Sequence, residues 1–122
     1  MKPKIGFIGL TAELYKEKIP HVVKEFSKFS EELKKVLEKF TEVIHIPVVY
    51  KKSQISEAYE KFKKENVDGV IFVFLSYSPS FIIYPVLKEN IKFPVLIWNT
   101  QKLKEIGKNF SSSDALLNHG MH

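Results

Sequence analysis

Six consecutive apolar residues, Val70-Ile71-Phe72-Val73-Phe74-Leu75, leave this stretch no polar face to turn toward water. The run is far too short to cross a membrane and is rich in β-branched and aromatic types. Those are the marks of a strand covered on both sides, as in the middle of a parallel sheet between two layers of helix. Val67-Asp68-Gly69 leads into the run, and the chain then changes abruptly to Ser76-Tyr77-Ser78-Pro79-Ser80. A strand that breaks at once into a polar loop and a helix is how open α/β sheets form crevices, at the carboxyl ends of their strands. The run therefore reads as the central strand, with the other segments arranged around it.

Taken in order, Lys4 to Leu10 reads as a first buried strand whose glycines, Gly6 and Gly9, imply close approach of a neighbour. Thr11 to Tyr15 reads as a loop. Ile19, Val22, Val23, Phe26, Phe29, Leu33, Val36, Leu37 and Phe40 then recur at steps of three and four, predicting one long amphipathic helix with Pro20 in its first turn. Glu42 to Ile46 is a second strand, stopped by Pro47. Ser53 caps a helix that buries Ile55, Ala58, Tyr59 and Phe62. After the central strand, Ser78 and Pro79 read as the N-cap and first position of a helix reaching Asn90, kinked or restarted at Pro85. Pro94 to Trp98 is a fourth strand, ending in Asn99-Thr100-Gln101. Lys102 to Ile106 reads as a short helical turn stopped by Gly107. Ser111 with Asp114 forms a capping-box pattern that opens a last helix.

Strands thus alternate with helices four times. The pattern predicts one domain over residues 1–122, a three-layer flavodoxin-like α/β fold with a four-stranded parallel sheet of order 2-1-3-4. Three loops, Leu10 to Tyr15, Ser76 to Ser80 and Asn99 to Gln101, would then share the carboxyl edge of the sheet and line one crevice.

Composition narrows the partners. The net charge of +5 invites a nucleic-acid reading, but all 19 basic residues are lysine. Arginine dominates base-edge and bidentate phosphate recognition, and the lysines here sit among glutamates on helix faces, so no nucleic-acid partner is expected. With no cysteine there is no disulfide framework and no thiolate ligand or nucleophile. No apolar run reaches membrane-spanning length, and Met1-Lys2-Pro3-Lys4 leads into a strand rather than a signal sequence, so a cytoplasmic location without membrane association is expected.

Several ordinary occupants of such a crevice lack their sequence signatures. Gly6 and Gly9 fall within the first strand with no third glycine, which excludes the dinucleotide fingerprint. Ala12-Glu13-Leu14-Tyr15-Lys16 is too bulky to wrap a flavin phosphate. The central strand closes on Leu75-Ser76 instead of a phosphoacceptor aspartate, and no phosphate-binding P-loop spacing occurs. What remains is hydroxyl and amide chemistry: Ser76, Ser78, Ser80, Asn99, Thr100 and Gln101, with Tyr15 and Tyr77. Those types suit a hydroxyl-rich ligand, and they equally serve as helix caps and turn residues. His119 and His122 fall three apart near the end of the sequence, without the further ligands that a metal site needs.

Four motifs in order carry a resemblance to a known family. They are Gly9 through Leu14-Tyr15, Gly69-Val70-Ile71 running into Ser78-Pro79, Asn99-Thr100-Gln101, and Asn118-His119-Gly120-Met121-His122. Together they resemble the amino-terminal domain of the L-fucose/L-arabinose isomerase family, across essentially the whole chain. The closing element has histidine at its second position where arabinose isomerases have glutamine, which leans toward the fucose-isomerase-like branch. The resemblance implies a cytoplasmic, homo-oligomeric enzyme that interconverts an aldose and a ketose. Its divalent metal, usually manganese, would be held by carboxylates and histidines of later domains not present in this chain. It also implies that this domain packs on a neighbouring subunit and completes its sugar pocket, with Leu14, Tyr15, His119 and His122 reaching the substrate.

The leading expectation is therefore the amino-terminal domain of a ketol isomerase, a fragment of a longer enzyme that is inactive alone. The alternative is a free-standing flavodoxin-like module that binds a small molecule or a protein without catalysis.

Overall fold

The computed structural model describes residues 2–105 and 107–118. The elements run β1 (Lys4–Leu10), α1 (Glu13–Lys18), α2 (Pro20–Leu37), β2 (Glu42–Val49), α3 (Lys52–Glu65), β3 (Gly69–Phe74), a single 3₁₀ turn (Ser80–Ile82), α4 (Tyr84–Glu89), β4 (Val95–Trp98) and α5 (Ser112–Leu117). The four strands form one parallel sheet in the order β2-β1-β3-β4. Helices cover both faces, giving the three-layer flavodoxin-like arrangement that the alternation predicts. No helix among the described residues is long and apolar enough to cross a membrane.

The period-two alternation of β3 explains the layers. Val70, Phe72 and Phe74 point to one face, where they pack with Ile55, Ala58, Tyr59 and Phe62 of α3 and with Ile83 and Val86 next to and on α4. Val73 and Leu75 point to the other, against Val22, Val23, Phe26, Phe29 and Leu33 of α2. From β1, Ile8 and Leu10 join the first cluster and Phe7 the second. A fully buried side chain of this size contributes roughly 1.5–3 kcal/mol by leaving water, so the two clusters supply the main driving force for folding.

Two glycines in β1 set how closely the neighbours approach. A Cβ on Gly9 would fall within contact distance of the Pro47 carbonyl oxygen, a backbone atom, and 2.9 Å from Ser30 Oγ. A Cβ on Gly6 would meet the ring of Phe62 at 2.6 Å, and that ring is itself fully buried. The close approach expected of both positions is therefore present, on one face by a helix and on the other by the adjacent strand.

Several local expectations give way to tertiary context. The segment read as a loop after β1 is helical from Glu13, and it forms α1, separate from α2. Ile19 breaks the two apart at φ −139°, since the residue before Pro20 is pushed out of the helical region. α2 stops at Leu37, so Phe40 lies outside it and is 69% exposed instead of buried. β2 does not stop before Pro47 but runs to Val49. It is an edge strand, and its pairing with β1 slips between Ile8 and Leu10, where Pro47 falls. Both circumstances tolerate a missing amide.

The N-cap of α3 is Lys51, not Ser53, and Gln54 Oε1 accepts from the Tyr50 and Lys51 amides at 2.9 and 3.0 Å. Ser78 and Pro79 precede a 3₁₀ turn instead of opening a helix, and α4 restarts with Pro85 in its first turn. Residues 102–105 are bends and irregular chain, not helix, and Ile106 lies outside the described residues. The capping box of α5 forms as expected, with Asp114 N–H donating to Ser111 Oγ at 3.1 Å and Ser111 N–H to Asp114 Oδ2 at 3.0 Å.

The crowding at Gly9 gives a direct test. Gly9→Ala is expected to destabilise the chain by about 1–3 kcal/mol or more, because the obstacle is backbone and cannot rotate away. Gly107→Ala, with nothing within 4 Å of the added carbon, should be close to neutral in the same urea titration.

Candidate functional site

At the carboxyl edge of the sheet, Leu10, Val49 and Phe74 hand the chain to three loops. Leu75 N–H donates to the Leu10 carbonyl and Thr11 N–H to the Val49 carbonyl, which ties the starts of these loops together. Beyond them opens a crevice of about 310 Å³ lined by Ala12, Glu13, Leu14, Tyr15, Tyr50, Tyr77, Pro79, Phe81 and Ile82. Its three tyrosines come from three different segments: the first turn of α1, the end of β2 and the loop after β3.

Each wall has its own physical origin. Ala12 is buried and anchors α1, whose first backbone bond runs from Tyr15 N–H to the Ala12 carbonyl at 3.1 Å. That turn leaves Leu14 outward, 57% exposed, while the Tyr15 ring leans edge-on against Phe26 of α2 at 6.0 Å. Phe81 is 75% exposed at the opposite rim. Glu13 and Lys51 pair across the mouth at 3.3 Å, and with both about half exposed the pair contributes little. The crevice is thus aromatic and hydroxyl-bearing, bordered by one neutralised ion pair. Such a lining suits an uncharged ligand with an apolar face and hydroxyl groups better than an anion or a cation.

Beneath it lie three fully buried hydroxyls, on Thr11, Ser76 and Ser78, none of which meets a hydrogen-bond partner among the described residues. A buried hydroxyl left in that state costs on the order of 1–3 kcal/mol, unless water or a ligand supplies a partner. Their concentration where β1 and β3 end marks this edge as the polar end of an otherwise apolar core.

Leu14 and Tyr15 both belong to the crevice, as the sequence places them. His119 and His122 lie outside the described residues. The segment leading to them is held firmly. Asn118 Oδ1 accepts from the Leu103 amide at 2.8 Å, and its Nδ2 donates to the Asp114 carbonyl at 2.6 Å. α5 rests on α2, as α1 does. Asn99 to Gln101 do not join the crevice. Gln101 instead lines a larger cavity of about 550 Å³ with Leu103, Lys104, Glu105, Phe110, Ala115 and Asn118. The single crevice expected of three loops is therefore two. Tyr50 carries no sequence signal of its own: a strand that stops at Pro47 leaves it in a connection, whereas the strand that runs on to Val49 brings it to the edge.

A second constellation has the outline of a hydrolytic triad. Ser30 Oγ lies 2.8 Å from His45 Nε2, and His45 Nδ1 lies 3.5 Å from Glu31 Oε1. The chemistry is not available there. Ser30 is fully buried against Gly9, and the imidazole is stacked flat on Phe7 at 5.1 Å, so no substrate reaches the hydroxyl. The arrangement satisfies a buried histidine: Glu31 favours the Nδ1–H tautomer and Nε2 accepts from the serine. Among the described residues, no three of histidine, aspartate and glutamate converge to hold a metal ion.

No protein-family model matches the chain, and no curated protein matches it.

Burial lowers the pKa of His45 below its ordinary 6.5, against an opposing pull from Glu31. The unfolded chain then binds a proton that the folded chain resists. Stability linked to His45 is complete above pH 6.5 and is lost as pH falls from there through the folded value. Urea midpoints measured from about pH 7.5 to about pH 5 should fall more steeply for the native chain than for His45→Gln, which carries the same carboxylates but no imidazole. Parallel slopes would show that this histidine protonates freely.

Proposed function

We propose that this chain is the amino-terminal domain of a metal-dependent aldose–ketose isomerase of the L-fucose/L-arabinose isomerase type, cytoplasmic and homo-oligomeric. In that role it lends substrate contacts to the pocket of a neighbouring subunit. The observation that carries the reading is the position of Leu14 and Tyr15. Two adjacent residues of the first motif stand on an exposed helical turn at the carboxyl edge of the sheet, Leu14 facing outward and Tyr15 lining the crevice. The order of the four motifs supports the same reading.

On this reading the domain contributes binding and not proton transfer. Leu14 and Tyr15 would pack on the carbon face of the sugar, and His119 and His122 would donate hydrogen bonds to its hydroxyls. The metal, with the carboxylates that move the proton, would belong to other domains.

A specific observation also favours the second reading, a free-standing binder of a small polyol: the crevice already has three tyrosine walls within this one chain. The test that separates them is complementation. The chain is titrated into an isomerase of this type lacking its amino-terminal domain, with manganese and L-fucose or L-arabinose present, and ketose formation is followed. Recovered turnover is expected, reduced about tenfold or more in kcat/KM by Tyr15→Ala, which corresponds to roughly 1.4 kcal/mol of lost transition-state binding. Association without recovered turnover would remove the isomerase role, and calorimetric binding of the free sugar by the chain alone would then establish the second reading.

A further inference from the structure

The two edges of the sheet end differently. β2 is edged by the slip at Pro47 and carries the charged residue Glu42. β4 has none of these devices. Val95, Leu96, Ile97 and Trp98 carry no charge and no proline, and the first three are 41%, 55% and 51% exposed. Val70 N–H donates to the Pro94 carbonyl, and a parallel ladder alternates its partners, so the amides and carbonyls of Val95 and Ile97 point away from β3. No described element pairs with that outer row. An uncharged edge with a free ladder is a template for another strand.

Beside it lies a separate apolar groove of about 240 Å³, lined by Phe74, Ser80, Ile83, Tyr84, Leu87 and Ile97. It shares no lining residue with the tyrosine crevice. Strand addition uses these two features together: the ladder provides main-chain hydrogen bonds, and a groove on one face takes every second side chain.

Charge selects the occupant. In the segments that flank β4 in sequence, Lys92 before it and Lys102 and Lys104 after it are exposed. None of the three has an ion-pair partner among the described residues, and Glu105 is the one acidic residue between positions 91 and 105. In a two-fold dimer through β4 the paired edges would run antiparallel, bringing Lys92 of one copy toward Lys102 and Lys104 of the other. That juxtaposition disfavours a second copy of this chain. A strand with acidic residues at both ends meets lysine at both ends in either direction. We propose that the outer edge of β4 is a strand-addition site for an extended apolar segment of a partner protein, flanked on each side by acidic residues.

The probe is a capped peptide, Glu-Glu-Val-Thr-Val-Thr-Val-Glu-Glu, with a control in which lysine replaces each glutamate. Both are titrated into the isotopically labelled full chain and followed through its backbone amide resonances. The acidic peptide is expected to shift and protect the amides of Val95 and Ile97, to bind roughly tenfold tighter than the lysine control, and to weaken with salt. Ile97→Pro removes an outward-facing amide and one half-exposed side chain of the groove wall, with no hydrogen bond to β3 lost, so it should abolish binding while the thermal midpoint stays near that of the native chain. Should that variant unfold, Ile97→Lys provides the same test through side-chain repulsion and loss of the groove wall. Equal affinity for the two peptides, or shifts confined to other elements, would overturn the proposal. Sedimentation showing a dimer with β4 amides protected would overturn it too, by giving the edge to a second copy.

Discussion

Everything in this chain depends on β3 being covered from both sides. A strand with apolar residues at every position is tolerable in water only if both of its faces are taken up. Phe72 and Val73 are both fully buried, on opposite faces, so neither helical layer is dispensable. That requirement places α2 on one side and α3 with α4 on the other. It also forces parallel strands with crossover helices, since a hairpin partner would leave one face to solvent. Gly6 and Gly9 are a consequence of the same demand. With two layers pressing on a narrow sheet, β1 can admit Phe62 on one side and Ser30 on the other only where it has no side chain.

That logic is why the architecture was legible in the sequence. Strand order, the number of layers and the buried faces of α2 and α3 all follow from apolar periodicity, and periodicity is a property of the residues themselves. The misreadings share a different cause. Pro47 is a strand breaker by propensity, yet it sits in β2 because an edge strand with a slipped register has no need of its amide. Thr11 to Tyr15 is too short to display helical periodicity, yet beyond the buried Ala12 the chain turns helical from Glu13. Phe40 fits the helical spacing but lies past the point where α2 has anything left to pack against. Each is decided by neighbours far away in sequence, which a local pattern does not record.

The site was legible in part for the same reasons. Leu14 and Tyr15 line the crevice from the segment after β1, and Tyr77 from the loop after the central strand, both of which the alternation of strands and helices assigns to this edge. Tyr50 was hidden behind the misplaced end of β2. The buried pair of His45 and Ser30 had no signal at all, since it joins a strand to a helix through side chains that look unremarkable alone. It also shows why geometry without access is insufficient: a serine, an imidazole and a carboxylate in line, closed off by Phe7 and Gly9, hold a helix to a sheet instead of cleaving a bond.

The carboxyl edge and the outer edge of β4 are built from different groups, and that difference argues for two surfaces with different tasks. The buried hydroxyls of Thr11, Ser76 and Ser78 gather at the carboxyl edge, where a loop-lined crevice admits something small. The exposed apolar side chains of Val95, Leu96 and Ile97 gather along the side of the sheet, where a backbone ladder admits something extended. A small hydroxylated ligand would gain nothing from the second surface, which offers few polar groups outside the main chain. A strand would find no ladder at the first, where the backbone turns into loops. The parallel sheet generates both at once, since its carboxyl ends always open into loops and its last strand always leaves one side unpaired.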